Sequence, residues 1–61
     1  MTHREVRGWL KKLGASFKEG SKHTRVYLNG RQSTLARHGN QEMGPGTLKA
    51  ICKQLGIETP N

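Results

Sequence analysis

The chain has 61 residues, of which 11 are lysine or arginine and four are acidic, so its formal net charge is +7 and its expected partners are anionic. This length allows a single domain spanning residues 1–61 and excludes a cofactor-binding lobe beside a substrate-binding lobe. A single cysteine, Cys52, excludes an internal disulfide bond. No signal peptide and no membrane span are expected, and together with the lone cysteine this predicts a cytoplasmic location.

The first predicted element is a helix that begins beside Thr2. Thr2 and Glu5 match a capping box, in which each side chain accepts a hydrogen bond from the other residue's backbone N–H. Gly14 predicts the end of this helix, because glycine adopts the left-handed conformation that often follows a last turn. Between these ends, apolar residues at helical spacing predict one buried stripe made of Val6, Trp9, Leu10 and Leu13.

Three short strands are predicted next, the first of them from Ala15 to Glu19. The other two form a hairpin, because Asn29-Gly30 is the favoured pair for a two-residue type I′ turn. This turn sets a register in which the expected cross-strand pairs are Leu28 with Arg31, Val26 with Ser33, and Thr24 with Leu35.

This register gives the hairpin two different faces. The apolar face carries Val26, Leu28 and Leu35. The polar face carries His23, Arg25 and Tyr27, opposite Ala36, Thr34 and Gln32. Since both helices need the apolar face, we expect an α+β fold, a two-layer α-β-β-β-α sandwich with an open, basic sheet face.

A glycine-rich loop and a second helix complete the chain. Residues 38–46 form the loop, which Met43 is expected to fix in place. The helix is predicted to start at Gly44-Pro45 and to end at Gly56, with an apolar stripe made of Leu48, Ile51, Cys52 and Leu55. Its N-terminus and Lys49 are a candidate phosphate site, although ordinary helix initiation is the favoured interpretation.

His23 is the candidate catalytic residue, because it lies on the polar face beside Lys22 and Arg25. An imidazole can take the proton of a ribose 2′-hydroxyl while neighbouring cations stabilise the developing charge, so RNA is the natural substrate. The alternative is a half-exposed strand histidine without a chemical role. The group that would supply the second proton stays open among Tyr27, a lysine and water.

Other polar residues carry weaker hypotheses. Tyr27 either stacks a base or covers a neighbouring strand, and neither interpretation is favoured. His38 is expected to order its loop through a hydrogen bond, with catalysis as the lesser alternative. His3 is expected to be solvated and without a role. One cysteine and three separated histidines argue against a metal site, so no metal and no cofactor are expected.

Three segments together resemble the HicA family of bacterial toxins, and the resemblance extends over nearly the whole chain. They are Gly20-Ser21-Lys22-His23, Arg37-His38-Gly39-Asn40 with Glu42, and Gly46-Thr47-Leu48-Lys49-Ala50-Ile51 with Lys53-Gln54-Leu55-Gly56. The resemblance implies a double-stranded-RNA-binding-like fold, translation-independent cleavage of mRNA, and neutralisation by a HicB antitoxin. It also implies that His23 is the catalytic histidine. Many members have another histidine just before it, where this chain has Lys22.

This interpretation assigns roles and partners to the chain. The expected RNA-binding residues are Lys22, Arg25, Tyr27, Arg37, His38 and Lys49. A HicB-like antitoxin is expected to cover the face that bears His23, and no membrane partner is expected. The alternatives are a non-catalytic double-stranded-RNA-binding module and an adaptor whose basic charge recognises an acidic protein.

Overall fold

Five elements follow one another in the structure, a computed structural model that describes residues 1–37 and 39–60. They are α1 (His3–Lys12), β1 (Ser16–Glu19), β2 (His23–Leu28), β3 (Arg31–Ala36) and α2 (Pro45–Leu55). The strands form one antiparallel sheet in the order β1-β2-β3. The predicted α-β-β-β-α sandwich is confirmed.

The helix α1 begins with the predicted capping box. The backbone N–H of Glu5 donates to Thr2 Oγ1 at 3.1 Å, and the backbone N–H of Thr2 donates to Glu5 Oε1 at 2.8 Å. Val6 and Leu10 are fully buried. The prediction that Leu13 belongs to the same buried stripe is wrong, because Leu13 is the C-cap residue and its side chain is 46% exposed. The chain turns away there, and Ala15 is the next buried residue.

The β2–β3 hairpin has the predicted turn and register. Asn29 and Gly30 both have positive φ, +53° and +78°, as a type I′ turn requires. The observed cross-strand pairs include all three that were expected: Leu28 with Arg31, Val26 with Ser33, and Thr24 with Leu35. The inward residues of β2 are buried and the outward residues are exposed or half-buried, so the sheet has one apolar and one polar face.

Both helices contribute to a core on the apolar face of the sheet. The buried core residues are Val6, Leu10, Ala15, Val26, Leu28, Leu35, Met43, Ile51 and Leu55. Cys52 is also buried, and burial raises the pKa of its thiol, so this thiol is kept in its unreactive protonated form. Neither helix in the described part of the chain has the length and apolar character needed to cross a membrane.

The segment after β3 is tied to the start of α1. The backbone N–H groups of His3 and Arg4 donate to the carbonyl oxygens of Gln41 and Gly39 at 3.0 and 2.9 Å. Met43 is buried, which supports the expectation that it fixes this loop in place. The prediction that His3 has no role is wrong, because its Nδ1 lies 2.8 Å from the Gln41 carbonyl oxygen and helps to hold this segment. His3 is half-buried, so it stays partly in contact with solvent. The hypothesis on His38 lies outside the described residues.

Candidate functional site

The polar side of the sheet, which we name the open face, carries most of the candidate residues. His23 and Arg25 are exposed on it and Tyr27 is half-buried, as the hairpin register predicted. The outward positions of all three strands are Ser16, Lys18, His23, Arg25, Tyr27, Gln32, Thr34 and Ala36. Since both helices lie against the apolar side, the open face is accessible to a large ligand such as a nucleic acid strand.

Lys18 is a further candidate site residue, which the sequence analysis missed. It pairs directly with Arg25 across β1 and β2, so both cations project from the open face. Together with Glu19, Gly20 and Tyr27 they line one shallow recess, whose two positive side chains outnumber its one carboxylate. The sequence carried a usable signal, because Phe17 is the apolar residue of β1 and its neighbour Lys18 must therefore point to the other side of the sheet. A recess with two cations and an aromatic ring suits a phosphate and a base.

The turn between β1 and β2 presents His23. The backbone N–H of Gly20 donates to the carbonyl oxygen of His23 at 2.8 Å, and Ser21 and Lys22 are exposed at the tip. His23 is therefore the first residue of β2 and pairs with Ala36, the last residue of β3. The imidazole therefore lies at one end of the open face. Lys22 precedes it in the turn, and Arg25 is the next residue of β2 on the same face.

A carboxylate and two guanidinium groups support this turn, and we name this set the Glu19 network: Glu19, Arg7, Thr24 and Arg37. The Thr24 hydroxyl donates to Glu19 Oε1 at 2.7 Å, and the Arg7 guanidinium donates to Glu19 Oε2. Arg37 Nε lies 3.7 Å from Glu19 Oε1, while its Nη1 donates to the Gly20 carbonyl oxygen at 2.8 Å. Arg37 thus links the carboxylate to the turn that carries His23.

The hydrogen bonds within the Glu19 network keep its carboxylate ionised. The Thr24 hydroxyl has the largest effect and the Arg7 guanidinium the next, and together they lower the pKa of Glu19 below its usual range. An ionised carboxylate accepts hydrogen bonds from several donors at once, which allows it to hold residues from α1, β2 and the end of β3 together.

The remaining candidates do not all reach the open face. Lys49 is exposed on α2, on the other side of the sheet, where it shares a recess with Cys52 and Lys53. Its proposed RNA contact therefore belongs to a separate surface and stays a prediction. Across residues 1–37 and 39–60, no group of three histidine, cysteine or acidic side chains is arranged to hold a metal ion.

Replacing Gly20 by alanine should disturb the turn. A Cβ at this position would lie 2.8 Å from the carbonyl oxygen of His23, so the backbone must shift. We expect a loss of about 1–3 kcal/mol in the free energy of unfolding, as for other overpacked sites, measured by urea denaturation. The matched control is Gly8→Ala on α1, where a Cβ meets nothing within 4 Å and helix propensity predicts a gain of about 0.5–1 kcal/mol. Equal stability of the two variants would contradict this role of Gly20.

Comparison with known proteins identifies relatives of nearly the same length. The chain is 47% identical over 58 residues to a probable mRNA interferase HicA 2 from Photorhabdus laumondii, covering 95% of this chain and 100% of that protein. It is 44% identical over 59 residues to a probable mRNA interferase HicA from Pseudomonas fluorescens, covering 95% and 98%. A chain of the crystal structure of the E. coli HicAB toxin–antitoxin complex superposes with a TM-score of 0.86 at 38% identity, covering 92% and 98%.

The element order and the three-stranded antiparallel sheet define a small two-layer α+β domain with one open, basic sheet face. Residues 3–57 match the family model described as HicA toxin of bacterial toxin-antitoxin. The chain therefore belongs to the HicA family of bacterial toxins.

Proposed function

We propose that this chain is a toxin endoribonuclease that cleaves mRNA without a metal ion and without translation, using His23 as general acid–base. The observation that carries the proposal is the exposed imidazole at the end of a cationic sheet face. Membership of a family whose relatives are named probable mRNA interferases supports it.

The proposed reaction uses the ribose of the substrate as the nucleophile. His23 takes the proton of the 2′-hydroxyl, whose oxygen attacks the adjacent phosphorus, and the bond from phosphorus to the 5′-oxygen breaks. The products are a 2′,3′-cyclic phosphate and a 5′-hydroxyl, whose oxygen receives a proton from an acid or from water. Proton transfer by a positioned histidine contributes about 10²- to 10⁴-fold to such a rate.

The cations around His23 supply electrostatic stabilisation in this proposal. Lys22 and Arg25 flank the imidazole, and Lys18 lies opposite Arg25. Their positive charges stabilise the additional negative charge that the phosphorane-like transition state places on the non-bridging oxygens. The same charges attract the RNA strand along the whole open face, so binding should weaken as salt concentration rises.

The position of Tyr27 disfavours it as the group that supplies the second proton. It lies four residues beyond His23 on the same strand, which corresponds to about 13 Å at the usual rise per residue. A proton donor must reach hydrogen-bond distance of the same phosphodiester that His23 serves, and this separation disfavours it. We therefore assign Tyr27 to stacking on a base of the bound strand.

We propose further that a HicB-like antitoxin neutralises this toxin by covering the open face. The support is the match to a chain of the E. coli HicAB toxin–antitoxin complex. An accessible cationic surface of this kind suits a partner with complementary acidic groups.

The test is an assay of purified protein with an RNA and with the same sequence in 2′-deoxy form, in EDTA and without ribosomes. We expect cleavage of the RNA with 2′,3′-cyclic phosphate ends, resistance of the deoxy strand, and inhibition by the cognate antitoxin. Salt-sensitive RNA binding without cleavage would instead indicate the double-stranded-RNA-binding module. Absence of RNA binding would leave the adaptor for an acidic protein.

A further inference from the structure

A second basic feature lies beside the open face, in a cleft between the start of α1 and the end of β3. The cleft has a volume of about 330 Å³. Its charged lining consists of Arg4, Arg7, Arg37 and Glu19, and the ring of His3 also borders it. Arg7 and Arg37 belong to the Glu19 network, which explains their position in this cleft. Arg4 is not part of that network and is not needed for the proposed proton transfer, so its place in the cleft requires another explanation.

The cleft opens next to the proposed catalytic residue. Thr24 and Ala36 both line the cleft. Thr24 follows His23 along β2, and Ala36 pairs with His23 across β2 and β3. Consecutive Cα atoms lie about 3.8 Å apart and paired Cα atoms in antiparallel strands about 4.5–5.5 Å apart. The side chains of Thr24 and Leu35 point to the helix side of the sheet, whereas His23 points to the open face, so the cleft lies around the end of β2 and β3 from the imidazole. An RNA strand with one phosphate at His23 brings a neighbouring phosphate to the cleft when it passes over this end of the sheet.

The charge of the cleft is positive even though it contains a carboxylate. Three guanidinium charges against the single carboxylate of Glu19 leave a net charge of +2, with His3 counted as neutral. The carboxylate already accepts hydrogen bonds from Thr24 and Arg7, so its negative charge is engaged within the Glu19 network.

The three arginines differ in how they are held. Arg7 donates to Glu19 and lies over the Phe17 ring at 4.9 Å, and Arg37 donates to the Gly20 carbonyl oxygen. The backbone of Arg4 is fixed by its N–H donating to Gly39, yet within residues 1–37 and 39–60 its guanidinium has no ion-pair partner. The cleft thus combines two pre-positioned guanidinium groups with one whose donors are available.

We propose that this cleft is a subsite for a phosphate of the RNA strand next to the scissile phosphate, with Arg4 as its principal contact. The inference rests on the proposed ribonuclease function, because the catalytic position of His23 determines where the neighbouring phosphate lies. Guanidinium groups donate two parallel hydrogen bonds to phosphate oxygens, which fixes the path of the strand as well as adding affinity. The subsite positions the substrate and takes no part in proton transfer.

The test uses His23→Ala protein, which prevents cleavage during the measurement, and a labelled single-stranded RNA titrated at several salt concentrations. In the His23→Ala protein, the further substitution Arg4→Gln should weaken RNA binding about tenfold, as expected for the loss of a charge-assisted hydrogen bond. It should also lower the slope of log affinity against log salt by about 0.7, the value for one phosphate contact on a single strand. The matched control is Lys12→Gln, which removes the same charge from the last turn of α1 and should change affinity less than twofold.

Three results would overturn the subsite. Equal effects of Arg4→Gln and Lys12→Gln on RNA affinity would show that the charge acts without a specific contact. A loss confined to antitoxin binding would assign the cleft to an acidic protein. Absence of RNA binding by the His23→Ala parent would overturn the proposed function together with the subsite, whereas the first two results leave that function intact.

Discussion

Replacing His23 by alanine should lower the rate of RNA cleavage by about 10²- to 10⁴-fold, the usual contribution of a positioned general acid–base. The affinity for RNA should change little, because the charge proposed to bind phosphates resides in lysine and arginine side chains. The imidazole is exposed at the start of β2, and the backbone of this strand is held by pairing with β1 and β3. The substitution should therefore remove the proposed proton transfer and retain the fold.

The measurement is single-turnover cleavage of a labelled RNA, accompanied by growth after induced expression in cells. Gln32→Ala is the matched control, since Gln32 is exposed on the same face, opposite Tyr27, and carries no proton-transfer group. We expect wild type and the control to cleave RNA and arrest growth, and His23→Ala to do neither. Cleavage by His23→Ala at the wild-type rate would refute the catalytic assignment and would leave the histidine as a surface residue of the strand.

Replacing Leu10 by alanine should remove most of the stability of the domain. Leu10 is 0% exposed and belongs to the core cluster. Truncating a fully buried leucine costs about 2–5 kcal/mol, because transfer free energy is lost and a cavity remains. At about 0.05–0.15 kcal/mol per residue, a chain of 61 residues has a free energy of unfolding of only about 3–9 kcal/mol. At the middle of both ranges the substitution therefore removes more than half of the free energy of unfolding.

Leu13→Ala on the same helix is the matched control for this experiment. The Leu13 side chain is 46% exposed at the C-cap of α1, so its truncation should change stability by about 0.5 kcal/mol or less. Both variants are compared by urea denaturation followed by circular dichroism. Equal destabilisation would mean that Leu13 is buried in solution and that the end of α1 is described wrongly.

Local patterns were enough to predict the elements of this fold. The register of the hairpin follows from two residues, Asn29 and Gly30, because a type I′ turn fixes which residues face each other. The capping box at Thr2 and Glu5 and the glycine after each helix mark helix ends through hydrogen bonds and φ angles within a few residues. The open face and the place of His23 on it follow from the same register.

Contacts between distant parts of the chain could not be predicted in this way. Glu19 meets Arg7 from α1 and Arg37 from the end of β3, and no periodicity in the sequence specifies that meeting. His3 was misinterpreted for the same reason, since its partner Gln41 lies 38 residues away. Leu13 fits the helical spacing and is nevertheless exposed, because spacing shows which side of a helix is apolar and does not show where the chain leaves it.

The Glu19 network has a consequence for which mutations can abolish toxicity. Its members come from α1, from the β1–β2 region and from the end of β3, so the turn that presents His23 is supported only once these parts have assembled. Harm to the host is then a property of the completed fold. When cells are selected for survival in the absence of antitoxin, we expect escape substitutions throughout the core, at positions such as Leu10, as readily as at His23.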